Sequence, residues 1–422
     1  MNKFTRKMQH LKSFASGHVP GQLVMQYTDH CNAYCPQCGM RVSNKFKRHT
    51  LGRERAEEII SAAAEKGFAA LSFTGGEPFL YLEDICYLSC FAARQGIEYI
   101  RTGTNGFVFM GSEKPDFMER MRKLADLLEE TPIRNIWISI DSCDAQMHEE
   151  MRGLPGVMRG IEKALPIFAE RGIHLSANLG INRNFAGISD GVEMCFEEFA
   201  QGFERFYTYV AELGFSIANL CYPMWSDVDE SSADAVYAAT TSDRITYFSH
   251  AEKLSMFRAL FETIPHQRHR LRIFTPRASL HALIKQYEGS PELSTPCRGG
   301  VDFFFIDSRE GEVYPCGYRG TEPMGDLSSL NMRRCGAAHC RRCDWECFRD
   351  PSELFAPLTG LCGAPLQLFQ RMYRDPLFFK LWWEDLSYYR ACHYFNGRIA
   401  PDSGTLSGWK GQQPDGVCEA VS

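Results

Sequence analysis

Six short β-rich runs occupy the first 222 residues, and a longer helical stretch separates most of them. The runs are Leu23–Tyr27, Ala70–Thr74, Glu98–Arg101, Asn135–Ile140, His174–Asn178 and Ser216–Leu220, with helical patterns at Arg53–Lys66, Leu82–Gln95, Asp116–Leu128, Val157–Arg171 and Val192–Leu213. Parallel strands need a crossover of about a dozen residues or more, so this alternation predicts an α/β fold with parallel pairing. The strand spacing suits βα units closing into a partial (β/α)6 barrel. In such a barrel the chemistry sits where the strands end.

The rest of the chain changes character. Residues 223–296 are rich in aromatics and histidine (Trp225, Tyr237, Tyr247, His250, His266) and predict two helices, His250–Thr263 and Arg277–Tyr287, in a bridging or lid segment. Residues 297–362 read as a small cysteine-rich domain that opens on a hairpin, FFFIDSREGEVYPC, turning at Arg309-Glu310-Gly311. Residues 363–422 form a helical aromatic tail with a loose end, and residues 1–19 an amphipathic lead-in to a barrel at 20–222.

The chain has 422 residues, 17 of them Cys, and a net charge of −6. Mild acidity argues against a broad nucleic-acid-binding face. No apolar run reaches the roughly 20 residues of a membrane span. The N-terminus lacks the apolar core of an export signal, and the cysteine count is odd, so a reducing, cytoplasmic setting is expected, with some thiolates kept for metal.

The spacing of those cysteines is informative. Cys31, Cys35 and Cys38 stand as C-N-A-Y-C-P-Q-C just after the first strand. Three thiolates in one loop can hold three corners of a 4Fe–4S cubane and leave one iron open to a ligand. Zinc with His30 as a fourth ligand is the competing reading. Tyr34 is placed to pack over a ligand there. Thr74-Gly75-Gly76-Glu77-Pro78 follows the second strand, where paired glycines let backbone approach a ligand and Glu77 can accept from an ammonium group. Thr104-Asn105-Gly106 follows the third strand, and Ser139 to Ser142, with Asp141 between, ends the fourth. Any one of these could be plain turn chemistry. Their shared position after successive strands points to one site.

Together, C-x3-C-x2-C, GGEP, TNG and S-I-D-S followed by His148 to Arg152-Gly153 resemble the radical S-adenosylmethionine (SAM) enzymes over roughly residues 20–222. The resemblance implies a SAM-binding [4Fe–4S] cluster on Cys31, Cys35 and Cys38. It also implies reductive cleavage of SAM to methionine and a 5′-deoxyadenosyl radical, with an electron from flavodoxin or ferredoxin. By the same resemblance Gly75, Gly76 and Glu77 hold the methionyl amine, Ser139 and Asp141 the ribose or carboxylate side, Arg152 pairs with the SAM carboxylate, and Asn178 or Asn182, after strand five, lines the pocket. Catalytic residues beyond these are not assigned.

Cys297, Cys316, Gly325-Asp326-Leu327 and the run Cys340, Cys343, Cys347 resemble the SPASM and twitch extensions of that family. The resemblance implies an auxiliary cluster on Cys297 and Cys316 with two of Cys340, Cys343 and Cys347. One cluster is favoured over two, because the x5 segment of the full SPASM pattern is missing; a structural zinc is the alternative. Cys335, Cys362 and Cys392 are spare candidates, and the other cysteines, Cys418 among them, read as small buried hydrophobes.

The resulting expectation is a radical SAM enzyme that abstracts hydrogen from a substrate carbon and gives oxidation or bond formation, as a peptide maturase or on a lipid or other apolar small molecule. An iron–sulfur electron carrier or zinc-stapled binding protein is the rival from another class. Phe4, Met8 and Leu11 among Lys3, Arg6, Lys7 and Lys12 give an amphipathic basic pattern suited to an anionic membrane surface or to docking on the barrel. The stripe Leu377, Phe378, Leu381, Trp382, Leu386, Tyr389 suits core packing or an apolar channel.

Overall fold

The computed structural model describes residues 3–38, 47–185, 193–223, 243–332 and 338–411. Cys335, Cys418, Trp225 and Tyr237 lie outside them, and so do the side chains of Lys3, Phe4, Arg6 and Lys7. The strands are β1 (Gln22–Thr28), β2 (Ala70–Gly75), β3 (Tyr99–Thr104), β4 (Asn135–Ser139), β5 (Ser176–Gly180), β6 (Ile217–Cys221), β7 (Arg272–Ile273), β8 (Phe303–Ile306) and β9 (Val313–Tyr314). The helices are α1 (Lys3–Ala15), α2 (Arg53–Glu65), α3 (Leu82–Gln95), α4 (Phe117–Glu129), α5 (Ala145–Arg152), α6 (Val157–Glu170) and α7 (Phe196–Leu213). They continue as α8 (His250–Gln267), α9 (Arg277–Tyr287), α10 (Glu346–Gly363), α11 (Pro365–Arg374), α12 (Pro376–Ala391) and α13 (Ser403–Ser407).

All nine strands lie in one sheet, in the order β7-β6-β5-β4-β3-β2-β1-β8-β9. The six expected strands run parallel in sequence order. Alternation sets the two faces. Leu23, Met25, Tyr27, Leu71, Phe73, Ile100, Ile136, Ile138, Ala177, Leu179, Ala218 and Leu220 point into the main core beneath the helices. The other face, the barrel interior, is largely polar, with Gln26, Ser72, Thr74, Arg101, Trp137, Ser139, Asn178, Asn219 and Cys221. Gly103 belongs to that inner face for a steric reason, since a Cβ there would lie 2.0 Å from the Trp137 ring.

Two features differ from the sequence reading. The run Phe303–Ile306 is indeed one arm of a hairpin with β9, but its other edge pairs parallel with β1, in register Gln22 with Phe303 to Met25 with Ile306. The cysteine-rich segment therefore shares a sheet with the barrel. In the segment read as a bridge or lid, the described helices pack on the barrel. Helices α8 and α9 bury Met256, Phe257, Leu260, Ile264, Leu280 and Leu283 in the main core, and β7 pairs with β6.

The aromatic stripe of α12 is core. Phe378 and Leu381 join the main cluster, Tyr389 packs with Phe395, and the Trp382 indole donates to the Leu354 carbonyl at 2.7 Å. Beyond α12 the chain seals the N-terminal mouth of the barrel. The His174 amide donates to the Gly397 carbonyl at 2.7 Å, the Gly397 amide to the Arg134 carbonyl at 2.6 Å, and the Arg398 guanidinium to the carbonyls of Leu128, Thr131 and Ile133. No helix of the described residues is long and apolar enough to cross a membrane.

Candidate functional site

The C-terminal ends of β1 to β4 meet at one mouth, and the loops that follow them are tied to one another. Gly76 donates its amide to the Thr28 carbonyl at 2.8 Å, and Glu77 its amide to the His30 carbonyl at 2.8 Å. This explains the paired glycines differently from the sequence reading. A Cβ at Gly75 would lie 2.1 Å from the Thr28 carbonyl oxygen, and one at Gly76 would lie 2.2 Å from that of His30. The glycines let the loop after β2 lie directly against the backbone that leads into Cys31.

Glu77 is the pin of the next joint. It caps the short 3-10 turn Pro78–Tyr81, where Pro78 fills the first position at no cost in donors, and its Oε1 accepts from the Phe79 amide at 2.9 Å. Its Oε2 accepts from the Asn105 amide at 2.6 Å. Burial pushes its carboxyl up to about 7, against the pull of those amides and of Arg152. A cation brought to it would restore the carboxylate. Thr104 closes its own turn by accepting from the Gly106 amide at 3.1 Å. The Asn105 side chain donates to Asn32 at 2.8 Å and approaches the Cys31 sulfur at 3.9 Å.

The loop after β4 leads to α5, a helix the sequence reading did not separate. Asp144 caps it by accepting from the Met147 amide at 3.0 Å, and Gly153 ends it in a left-handed conformation. One turn apart on its buried side stand His148 and Arg152, and both close on Asp141. Arg152 donates to Asp141 Oδ2 at 2.7 Å, and His148 Nδ1 accepts the Asp141 amide at 3.0 Å, which places any imidazole proton on Nε2. Gln37, between the second and third cysteines, also donates to Asp141 Oδ2. Burial, aided by Arg152, holds His148 down at about 4. His148, Gln37 and the α5 helix complete the site, and the sequence reading missed the first two as site residues; the signal for His148 was its helical spacing from Arg152.

Cys31, Cys35 and Cys38 lie within electrostatic reach of one another, and none of the three is in a disulfide. Burial pushes Cys35 up to about 12 and Cys31 above its ordinary value, with Arg152 opposing both. The ring of Tyr34 is exposed, while its amide donates to the Arg152 carbonyl at 3.2 Å, so the cysteine loop is fastened to the end of α5. Ser139 lies in register with Asn178, whose side chain faces the Cys221 thiol at 3.4 Å. Glu346 at the start of α10 accepts from the Tyr222 amide at 3.0 Å and bonds the same thiol. The barrel mouth thus runs directly into the cysteine-rich segment.

There Cys297 and Cys340 form an antiparallel bridge, the Cys297 amide donating to the Cys340 carbonyl at 2.8 Å. Cys316 follows β9, and Cys347 lies in the first turn of α10, where the helix N-terminus favours a thiolate. Cys297 acts electrostatically on Cys316, Cys343 and Cys347, so these residues share one pocket. Burial pushes Cys316 up to about 11 and Cys347 to about 12, and Arg101 of the barrel interior pulls the latter down. Cys362 is exposed on α10 and Cys392 is buried below α12.

The donor chemistry fits a metal cluster in both places. A thiol held up by burial becomes a thiolate when a metal replaces its proton. Asp141 Oδ1 and Gln37 Oε1 are buried without a hydrogen-bond partner beside the first three cysteines, as a polar site awaiting a ligand requires. No three His, Cys, Asp or Glu side chains among the described residues converge on a single ion. A cubane does not ask for that, because each thiolate binds its own iron corner.

Comparison with known proteins bears on this geometry. Residues 25–183 match the radical SAM superfamily. The chain is 23% identical over 305 residues to an AdoMet-dependent heme synthase of Methanosarcina barkeri, covering 72% of this chain and 78% of that protein. It is 29% identical over 155 residues to a GTP 3',8-cyclase of Vibrio atlanticus, covering 35% and 43%. Among solved structures, SuiB of Streptococcus suis bound to S-adenosylmethionine superposes with a TM-score of 0.51 at 14% identity, over 85% of this chain and 72% of that one.

Proposed function

Since the chain is an enzyme of the radical SAM superfamily, we propose that it cleaves SAM reductively and removes a hydrogen atom from a carbon of a substrate enclosed between the barrel mouth and the cysteine-rich segment. The observation that carries this reading is the meeting of Cys31, Cys35 and Cys38 with Glu77, Asn105, Asp141 and Arg152 at the ends of four successive strands. Cys31, Cys35 and Cys38 would hold a [4Fe–4S] cluster, which would supply the electron for cleavage of the sulfonium C–S bond, with flavodoxin or ferredoxin as the expected reductant.

The protein residues bind and orient. Glu77, half-protonated near neutrality, is poised to ionise beside an ammonium group. Asn105, fixed by Asn32, presents its amide at the Cys31 end of the site. The Asp141–Arg152 pair, steadied by His148 and Gln37, sets a charge-balanced wall for a zwitterionic ligand. Gly397 and Arg398 tie together the backbone that leads into β4 and β5 at the far end of the barrel.

Loss of a hydrogen atom leaves a substrate radical, which must give up one more electron and a proton to reach a closed-shell oxidised product. A second iron–sulfur group, held by Cys297 and Cys316 with two of Cys340, Cys343 and Cys347, would take up that electron. The similarity to the heme synthase supports a small-molecule substrate, because it extends well past the barrel, whereas the similarity to the cyclase spans about a third of the chain. Peptide and lipid substrates rest on the sequence reading alone.

Anaerobic reconstitution with iron and sulfide, followed by SAM and a strong reductant, tests the proposal. Release of 5′-deoxyadenosine, abolished by Cys35→Ala, is the expected result. Its absence from a reconstituted wild-type protein overturns the reading.

A further inference from the structure

Helix α11 is built the wrong way round for a helix of a water-facing surface. Of its ten residues only Leu368 is buried, while Leu366 is 77% exposed, Phe369 60% and Tyr373 90%. These three stand at i, i+3 and i+7, so they form one stripe along the helix. Met372 flanks the stripe, and Leu361 near the end of α10 extends it, both of them exposed. Single exposed apolar side chains are ordinary, but a contiguous group on adjoining helices marks an interaction surface.

Helix α1 adjoins the same region. Its Phe14 ring lies 6.3 Å from that of Phe355 on α10, and Gly17, just past its end, lies against Gly363. Met8 and Leu11 of α1 are themselves exposed. The charges on these two helices are one-sided. Helix α1 carries Lys3, Arg6, Lys7 and Lys12, helix α11 carries Arg371 and Arg374, and neither contains an Asp or Glu. The protein as a whole has a net charge of −6, so the cations are concentrated here against the general balance. Arg371 is engaged with Glu353 and Thr295, whereas Lys12 and Arg374 are exposed.

We infer that α1, the end of α10 and α11 form a docking face for an anionic lipid bilayer. The apolar stripe of α11 enters the boundary between headgroups and acyl chains, and the exposed Lys12 and Arg374 meet the lipid phosphates. Charge complementarity selects this occupant over a neutral apolar partner, because an apolar stripe accompanied by exposed Lys12 and Arg374, on helices without Asp or Glu, is the pattern of helices that lie in the membrane interface. The contact is peripheral, consistent with helices too short and too polar to span. It is independent of the SAM chemistry, since none of these residues touches the strand ends.

Vesicle flotation of the reconstituted holoenzyme tests the inference. The vesicles are phosphatidylcholine alone or phosphatidylcholine with about 30% phosphatidylglycerol. Flotation with the anionic vesicles only, falling as salt is raised, is expected. The triple variant Leu366→Ser, Phe369→Ser, Tyr373→Ser should weaken partitioning by about tenfold or more, and Lys12→Glu with Arg374→Glu should remove the preference for anionic lipid. Both variants should melt as the wild type does and form 5′-deoxyadenosine at an unchanged rate without lipid. Three results overturn the inference: no flotation, flotation indifferent to headgroup and salt, or a dimer of the wild type that the triple variant converts to monomer.

Discussion

At the scale of single residues, Asp141 organises more of the site than any cysteine. It takes a guanidinium from Arg152, an amide from Gln37 and, through its own backbone, the ring of His148. The histidine makes this arrangement sensitive to acid. Below about pH 6.5 the unfolded chain takes up a proton on His148 that the folded protein refuses until about 4. The unfolded state then binds more protons, so stability is full above pH 6.5 and declines toward pH 4, by about 3 kcal/mol for this group. Between pH 6.5 and 4.5 the urea midpoint of the wild type should fall more steeply than that of His148→Gln, whose amide oxygen can still accept from Asp141. Equal slopes against pH would show that the acid sensitivity lies elsewhere.

Among the described elements, the short connection after α12 holds the non-glycine residues with positive φ. His393, Tyr394 and Phe395 have φ of 50°, 52° and 57°, three consecutive non-glycine residues in the left-handed region. The surroundings hold them there. Phe395 packs edge-on against Tyr389 and Phe274, its carbonyl accepts from Asn135, and the residues that follow seal the barrel. Tyr394 is exposed and contributes no packing of that kind. Tyr394→Gly is therefore expected to stabilise the protein by about 1 kcal/mol, read as a raised denaturant midpoint with unchanged slope. A lowered midpoint would mean that the ring has a partner worth more than the relief of the backbone.

For the whole molecule the parallel pairing of β8 with β1 is the decisive contact. It sets the Cys297 to Cys347 pocket next to the barrel interior, where Val24, Phe303, Phe305, Tyr314 and Phe348 pack against Cys297, Cys316 and Cys347. Two thiol sets then sit at separate places in one continuous sheet. If both hold clusters, replacing Cys31, Cys35 and Cys38 together should leave about four irons per chain after reconstitution. A variant with no residual iron would assign all of it to the first loop.

Much of this was legible in the chain itself. The six barrel strands and the helices between them announced themselves by period, because a sheet buried under helices demands an apolar residue at every second position and a crossover between parallel neighbours. Cys31, Cys35, Cys38, Glu77, Asn105 and Asp141 could be named because their motifs each follow a strand, whereas Arg152 came from the resemblance to the radical SAM enzymes. Other features depended on contacts far apart in sequence. The glycines of the second loop answer to a backbone nearly fifty residues earlier, and the hairpin strand chose β1 as its neighbour across more than 270 residues. Local propensity made Phe303–Ile306 a strand, but its free edge could have paired anywhere. Only the folded chain could show that it extends the barrel and brings the second set of thiols to its mouth.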